Sequence, residues 1–305
     1  MKRTILILLL SLNWISSGAH KIPGLSRKNV NFIVLADSGS HVDSLRAKEV
    51  ILAGIVDDIV KSNNIDFIVH AGDPIHQSGV KSPDDPQWQY KVLDIFQGKN
   101  LRKIPWHCIP GNHEYRGNPQ AVVEYSNVQP WWDTPARYYS ISFRNGMLLF
   151  LDTTPLLDSY NKTCKGKVDK DYRSRELHWA DSVLAASNAK WKIAVGHHPI
   201  YAHSKKNEIE RIDLQSRLLP ILRKGGVSLY LNGHIHNFQH IERSDAGMHF
   251  VTNSSPVLTR KAKPVEGTKY CDKGPGFTIV SVSKKYIRVC YCDKNGDIAY
   301  EFKIK

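Results

Sequence analysis

The sequence predicts a layered α/β domain with a mixed sheet or two paired sheets. Apolar, strand-like runs alternate with helical stretches as far as Leu231, and the sequence from His240 onward is mostly strand-like. The 305 residues are 41% hydrophobic and 23% charged, a balance typical of globular proteins and unlike that of disordered ones. A chain of this length buries a sizeable core without disulfides or structural metals.

Strands and helices alternate regularly in the N-terminal half. The predicted strands are short buried runs, and the helices between them have amphipathic spacing. Asn145 and Gly146 form a strong turn signal that joins the last two strands into a hairpin. The predicted elements are a strand at 30–36, a helix at 44–61, a strand at 66–71, a helix at 87–96, a strand at 104–110 and a hairpin of 137–143 with 147–152.

The C-terminal half continues this alternation and then turns to strands. In folds of this kind ligands bind beyond the carboxyl ends of the strands, so polar residues at those ends are candidate site residues. The predicted elements are a helix at 174–186, a strand at 191–195, a helix near 214–223, and strands at 227–231, 247–252, 276–282, 286–292 and 298–304.

The N-terminus has the pattern of a signal peptide. Lys2 and Arg3 precede an apolar run at 5–12, and small residues follow at 16–19. We expect cleavage after Ala19, export from the cytoplasm, and one mature domain at 20–305. The alternative is a buried first helix. No run is long enough to span a bilayer comfortably, so we expect no transmembrane segment and a soluble, monomeric protein.

Export would place five cysteines in an oxidising compartment, where disulfides persist. We expect Cys108, in a predicted buried strand, to stay free. Cys290 and Cys292 lie on the same face of one strand, so each is expected to pair with Cys164 or Cys271 rather than with the other. Two sequons, at 161–163 and 253–255, are candidate glycosylation sites, and Pro256 disfavours the second.

The formal net charge of +13 favours anionic partners. The basic residues are scattered, with short clusters at 205–206 and 260–263, and no nucleic-acid-binding motif accompanies them. We therefore expect phosphorylated small molecules or phosphoproteins as partners, and no nucleic acid.

Five polar blocks, each at the end of a predicted strand and beside a small residue, carry the chemistry. Carboxylate, amide oxygen and imidazole are ligands for Zn, Mn and Fe, and two such ions roughly 3.5–4 Å apart can clamp a phosphate. Each block alone is usually a turn or a structural histidine, but all five in this order predict a two-metal site. The blocks contain Asp37, Asp73, Asn112 with His113, His197 with His198, and His234 with His236.

With these blocks the chain resembles the calcineurin-like metallophosphoesterases, and among them the small tartrate-resistant type of purple acid phosphatase. The resemblance runs from about residue 31 to the C-terminus and includes the segments 111–113, 151–153 and 233–237. It implies a four-layer β-sandwich of two mixed sheets flanked by helices. It also implies hydrolysis of phosphate monoesters by a binuclear centre of Fe, Zn or Mn.

The resemblance also implies a ligand set for each ion. One metal would be held by Asp37, Asp73 and His236. The other would be held by Asp73, Asn112, His197 and His234, so that Asp73 bridges the two. The resemblance places His113 near the leaving-group oxygen, where a histidine can donate a proton. His198 stands at a position that the family varies.

The main departure from the family is at His76. Purple acid phosphatases have a tyrosine three residues after the bridging aspartate, and its phenolate binds iron(III) and gives the colour. An imidazole at this position is expected to favour divalent ions and a working pH nearer neutral. His76 either supplies a metal ligand or points away from the site.

Three functions are compatible with these residues. The leading hypothesis is a secreted phosphatase acting on phosphate monoesters. A phosphodiesterase or nucleotide pyrophosphatase would use the same scaffold. A non-catalytic binding or scaffold protein would be consistent with loss of the tyrosine at position 76, but retention of six ligands argues against it.

Overall fold

The computed structural model describes residues 20–40, 42–204 and 208–305. The predicted signal peptide, residues 1–19, lies outside the described residues. Two mixed β-sheets pack face to face, and helices cover their outer surfaces, which confirms the predicted four-layer sandwich. None of the helices described has the length and apolar character needed to cross a bilayer.

The described elements are thirteen strands and six α-helices, numbered in chain order. The strands are β1 (Val30–Leu35), β2 (Phe67–His70), β3 (Trp106–Cys108), β4 (Tyr139–Phe143), β5 (Gly146–Phe150), β6 (Trp191–Val195), β7 (Leu229–Asn232), β8 (Phe238–Arg243), β9 (Met248–Thr252), β10 (Thr268–Asp272), β11 (Gly276–Val282), β12 (Ile287–Asp293) and β13 (Ile298–Ile304). The helices are α1 (Asp43–Ser62), α2 (Gln120–Glu124), α3 (Asn161–Cys164), α4 (Tyr172–Ala186), α5 (Glu208–Arg217) and α6 (Leu219–Lys224).

The strand order places two parallel sets opposite each other. The first sheet has the order β13-β12-β11-β1-β2-β3, in which β1, β2 and β3 are parallel. The second has the order β10-β8-β9-β7-β6-β5-β4, in which β5, β6, β7 and β9 are parallel. The carboxyl ends of parallel strands in a sheet meet at one edge, so the residues that follow them come together.

Alternating side chains on β1 show how the layers are built. Phe32 and Val34 point into the core between the two sheets, whereas Ile33 and Leu35 point outward to the core beneath α1. All six residues of the strand are buried, and a run of apolar residues is what a strand covered on both faces requires. A third core lies between the second sheet and the helices α4, α5 and α6.

Predicted and observed elements agree best in the strands. The strands at 191–195, 276–282 and 298–304 have the predicted bounds. The helix predicted at 87–96 begins as predicted but ends early, because residues 87–88 are α-helical, Gln89–Leu93 continues as a short π-helical segment, and a turn follows. The helix predicted near 214–223 is divided into α5 and α6. Pro220 lies in the first turn of α6, where its missing N–H is tolerated. Because Pro220 has no N–H to donate, it prevents α5 from continuing through this point.

The predicted disulfides are absent, because all five cysteines are free thiols. Cys290 and Cys292 do share a face of β12, but that face is buried in the core beneath α1. Cys271 is on β10 in the other sheet, and Cys164 is in α3. Cys271 therefore lies in the opposite sheet from Cys290 and Cys292, Cys164 lies in a separate helix, and only the prediction for Cys108 agrees with the structure.

The two sequons differ in accessibility. Asn161 is exposed at the start of α3 and stays a predicted glycosylation site. Asn253 is only 1% exposed, and its side-chain oxygen accepts a hydrogen bond from the Thr278 hydroxyl at 2.7 Å. The folded protein therefore cannot present Asn253 for modification.

The segment that follows Asp37 is anchored by a buried carboxylate on α1. The Glu49 oxygens accept the backbone N–H groups of Gly39 at 2.8 Å and Ser40 at 3.1 Å. Burial raises the pKa of Glu49 to about 7, although both hydrogen bonds favour the charged form. This contact fixes the turn in which one of the predicted metal ligands lies.

Glu49 should make the free energy of unfolding depend on pH. An acid whose pKa is higher in the folded state stabilises the fold at low pH, and this contribution is lost between 4.5 and about 7. Relative to Glu49→Gln, which does not titrate, the metal-free wild-type protein should lose about 3 kcal/mol of stability as pH rises through this window. Urea unfolding of both proteins at several pH values measures the difference. A difference that does not vary with pH would contradict the effect of burial.

Candidate metal centre

The five polar blocks meet where the two parallel sets of strands end. Three blocks follow β1, β2 and β3 of the first sheet, and two follow β6 and β7 of the second, as the sequence predicts. The side chains gathered there are Asp37, Asp73, His76, Asn112, His113, His197, His234 and His236. All are buried except His113, which is half-buried.

Four of these residues have a left-handed backbone. The φ angles are 55° at Asp37, 53° at Asp73, 74° at His234 and 54° at His236. Such angles are uncommon outside glycine, and the fifth non-glycine case in the described chain is Asn145 in the hairpin turn. The backbone strain is thus concentrated at this site, as it is at functional sites generally.

Asp73 is the centre of the arrangement. Its Oδ2 lies 3.2 Å from Nε2 of His197, 3.6 Å from Nε2 of His76 and 3.7 Å from Nε2 of His113. Its Oδ1 accepts the backbone N–H of His113 at 2.9 Å. One carboxylate therefore faces three imidazoles, which is the geometry expected of a bridging ligand.

The orientation of His197 leaves its Nε2 available for a cation. Nδ1 lies 2.9 Å from the Ala71 carbonyl and donates its proton there. In the neutral ring Nε2 then has the lone pair, 3.2 Å from Oδ1 of Asn112 as well as 3.2 Å from Asp73. Three acceptor atoms converge there, and such a group requires positive charge, which is either a proton on Nε2 or a metal ion in its place.

Asp37 forms the second half of the site. Its Oδ2 accepts the backbone N–H of His234 at 2.8 Å, whereas its buried Oδ1 lacks a hydrogen bond and lies 3.4 Å from Nε2 of His236. Ligand atoms of Asp37, His76 and His236 all lie within 4.8 Å of one another. They form a second set of donors, next to the set around Asp73.

His76 points into the site rather than away from it. Its Nδ1 lies 2.8 Å from the Ser38 carbonyl and donates to it, which leaves Nε2 facing Asp73. That Nε2 is buried and lacks a hydrogen-bond partner. His76 shares one group of possible ligands with Asp37 and another with Asp73.

His113 lies at the open side of the site. Its Nδ1 is 2.5 Å from the Gln77 carbonyl, and its ring lines the pocket above Asp73. Burial lowers the pKa of His113, and Asp73 opposes that effect. The ring is therefore held with Nε2 toward the space that a substrate would enter.

The negative charges of Asp73 and Asp37 stabilise positive charge on the groups around them. Burial lowers the pKa of His197, but Asp73 and Asp37 more than offset this and raise it to about 10. Burial alone would raise the pKa of Asp73, yet His197 and His113 hold it well below the ordinary value. These surroundings stabilise a cation beside the carboxylates, so the donor set fits metal ions.

Two buried carboxylates near the site were not predicted as site residues, and His198, which lies in one of the predicted blocks, was not assigned as a ligand. Glu114 accepts backbone N–H groups from Gly111, Asp73 and Ile75, and so ties two of the blocks together. Glu210 of α5 lies 3.0 Å from Nε2 of His234. His198 has Nδ1 2.8 Å from the Thr153 hydroxyl and forms a group of possible ligands with His197 and His234.

A pocket of about 550 Å³ opens over the metal ligands. Arg116, Arg260 and Lys261 line it together with Tyr160 and His203. The backbone N–H of Arg260 donates to the His236 carbonyl at 2.8 Å, which fixes the main chain of this residue beside the site. Positive charge at the rim of a cleft attracts anionic ligands.

Comparison with known proteins agrees with this geometry. Residues 30–238 match the family model described as calcineurin-like phosphoesterase. The chain belongs to this family. It is 31% identical over 297 residues to purple acid phosphatase 3 of Arabidopsis thaliana, covering 92% of this chain and 79% of the relative. It is 26% identical over 297 residues to human tartrate-resistant acid phosphatase type 5, covering 90% of each. These relatives and the donor set make this chain a metallophosphatase.

Solved structures show the same fold at lower identity. One is described as GAP50, the anchor in the inner membrane complex of Plasmodium, with a TM-score of 0.78, 22% identity, and coverage of 92% of this chain and 89% of that one. Another is a dimetal phosphatase from Danio rerio, with a TM-score of 0.63, 14% identity, and coverage of 90% and 98%.

Asp73→Asn should abolish or nearly abolish metal binding. Asparagine tolerates the left-handed backbone at this position and can still accept the N–H of His113, so the fold should survive. The neutral amide cannot hold two cations. Metal analysis after dialysis against dilute Zn or Mn measures the effect, with thermal unfolding of the metal-free proteins as the control. Two ions retained by the variant would contradict the bridging role.

Proposed function

We propose that this protein is a binuclear-metal hydrolase of phosphate monoesters. The observation that carries the proposal is a pair of adjacent donor groups, one of Asp37, His76 and His236 and one around Asp73. Asp73 joins them, because its ligand atom also lies within 4.8 Å of those of Asp37 and His197. One ion would be held by Asp37, Asp73, His76 and His236. The other would be held by Asp73, Asn112, His197 and His234. When bound, such ions supply Lewis-acid charge to a phosphoryl group and activate water as a nucleophile.

The rim of the pocket favours monoesters over diesters. A phosphate monoester has more negative charge than a diester near neutral pH. Arg116, Arg260 and Lys261 surround the entrance, and the residues lining this pocket include one carboxylate, Asp73. Uncompensated positive charge at the rim binds the more highly charged substrate better.

His113 acts on the leaving group. Its Nε2 faces the pocket while Nδ1 is held by the Gln77 carbonyl, so the ring keeps one orientation. To protonate the departing oxygen, which otherwise leaves as an unstable alkoxide, Nε2 must carry a second proton. The neighbouring Asp73 favours this charged form of His113, and burial opposes it.

A second candidate function is a non-catalytic scaffold. The observation in its favour is the likeness over most of both chains to a structure described as an anchor. On that hypothesis the donor sets would bind metal or stay empty without turnover. Catalytic activity that depends on the site residues distinguishes the two functions.

We also propose that the chain is exported, because residues 2–19 have the charged, apolar and small segments of a signal peptide in that order. Expression in a secretory host with N-terminal sequencing of the product tests this. A product that begins at His20 supports export, and retention of Met1 inside the cell opposes it.

The purified protein should hydrolyse a phosphate monoester and lose this activity when its metals are removed. Activity toward p-nitrophenyl phosphate should exceed that toward bis(p-nitrophenyl) phosphate. Chelation should abolish it, and Zn, Mn or Fe should restore it. Activity mainly on the diester would favour the phosphodiesterase alternative. No activity on either substrate, with two ions bound, would favour the scaffold.

His113→Ala should lower turnover far more than metal content. Loss of a general acid costs typically ~10²–10⁴-fold in rate, and the loss should be largest for substrates with poor leaving groups. Turnover of an alkyl phosphate and of p-nitrophenyl phosphate measures this dependence. An equal effect on both substrates would show that His113 does not protonate the leaving group.

The wild-type protein should lack the visible colour of its relatives, and His76→Tyr should gain it. The colour comes from charge transfer between a tyrosine phenolate and iron(III), and His76 occupies the position from which that tyrosine would reach the site. Absorption spectra of the iron-loaded, oxidised proteins measure this. His76→Phe is the control, since it has a ring but no phenolate. A strong visible band in the wild-type protein would show that another tyrosine binds the metal.

A further inference from the structure

A buried carboxylate outside the predicted ligand set contacts one of the ligands. Glu210 belongs to the first turn of α5, and its side chain is turned inward and is 5% exposed. Its Oε2 lies 3.0 Å from Nε2 of His234, which is 7% exposed. This contact joins a helix of the outer layer to the edge of the second sheet.

The Glu210 carboxylate has a second partner. Tyr160 lies beside it, and burial together with the Glu210 charge raises the pKa of the Tyr160 hydroxyl. Tyr160 lines the pocket over the metal ligands. The carboxylate is thus held between a phenol on one side and an imidazole on the other, which orients it independently of any ion.

This contact determines which nitrogen of His234 can bind a metal. A carboxylate accepts hydrogen bonds, so Nε2 of His234 must carry the proton. The lone pair is then on Nδ1, the nitrogen through which His234 would bind a metal. The backbone N–H of His234 donates to Asp37 at 2.8 Å, so the main chain is fixed as well. Carboxylates that fix the tautomer and orientation of a ligating histidine typically raise metal affinity 10–100-fold.

We propose that Glu210, supported by Tyr160, is a positioning residue that holds His234 in its metal-binding tautomer and orientation. The inference rests on the proposed function, in which His234 is a ligand of the second ion. It assigns a role to α5, which contributes no ligand of its own.

The test compares metal affinity in Glu210→Ala, Glu210→Gln and Tyr160→Phe. Glu208→Ala is the matched control, because Glu208 belongs to the same turn of α5 and is exposed. Competition with a chromophoric chelator gives the affinity for Zn of each of the two sites. Thermal unfolding of the metal-free proteins shows whether each variant folds.

Glu210→Ala should weaken one Zn site about 10–100-fold and leave the other within a few-fold of wild type. Glu210→Gln keeps an acceptor oxygen and should lose less, and Tyr160→Phe should lose least. Wild-type affinity at both sites in folded Glu210→Ala would overturn the inference. If Glu210→Ala does not fold, the same measurement on Glu210→Gln takes its place. Wild-type Zn affinity at both sites in Glu210→Gln would then overturn the inference. Failure of the wild-type protein to bind two ions would instead overturn the proposed function.

Discussion

The structure depends on keeping two buried carboxylates close together. Asp37 and Asp73 are almost fully excluded from solvent, and burying charge is costly unless opposite charge or hydrogen bonds compensate for it. Backbone N–H groups of His234 and His113 satisfy one oxygen of each. The remaining oxygens face imidazole nitrogens of His76, His197 and His236. Positive charge, from a proton on His197 or from metal cations between the two carboxylates, completes the compensation.

The fold produces this arrangement through strand topology. Parallel strands in each sheet end at the same edge, and the left-handed residues that follow them turn the side chains inward. Buried acids behind the site hold the turns in place: Glu49 binds the segment after Asp37, and Glu114 binds the segments around Asp73 and Gly111. The outer helices thus stabilise the site without contributing ligands.

The sequence was sufficient to predict the features that short-range patterns encode. Apolar runs predicted most of the strands. The polar blocks at strand ends predicted the residues that the structure brings together. It did not predict Glu210, because α5 begins in a segment without a recognisable pattern and the contact with His234 joins residues 24 apart. It did not predict Glu49, since a glutamate on an amphipathic helix usually faces solvent. The disulfide prediction was wrong because cysteine spacing does not reveal that Cys271 lies in a different sheet from Cys290 and Cys292.

Anomalous diffraction from crystals grown with Zn or Mn is the decisive experiment for the two-metal site, because it locates each ion without reference to activity. We expect two peaks per chain, roughly 3.5–4 Å apart, on either side of the Asp73 carboxylate. One peak lies toward Asp37 and His236, and the other toward Asn112 and His197. A well-ordered site with no peak, or a single peak that Asp73 does not contact, would contradict it.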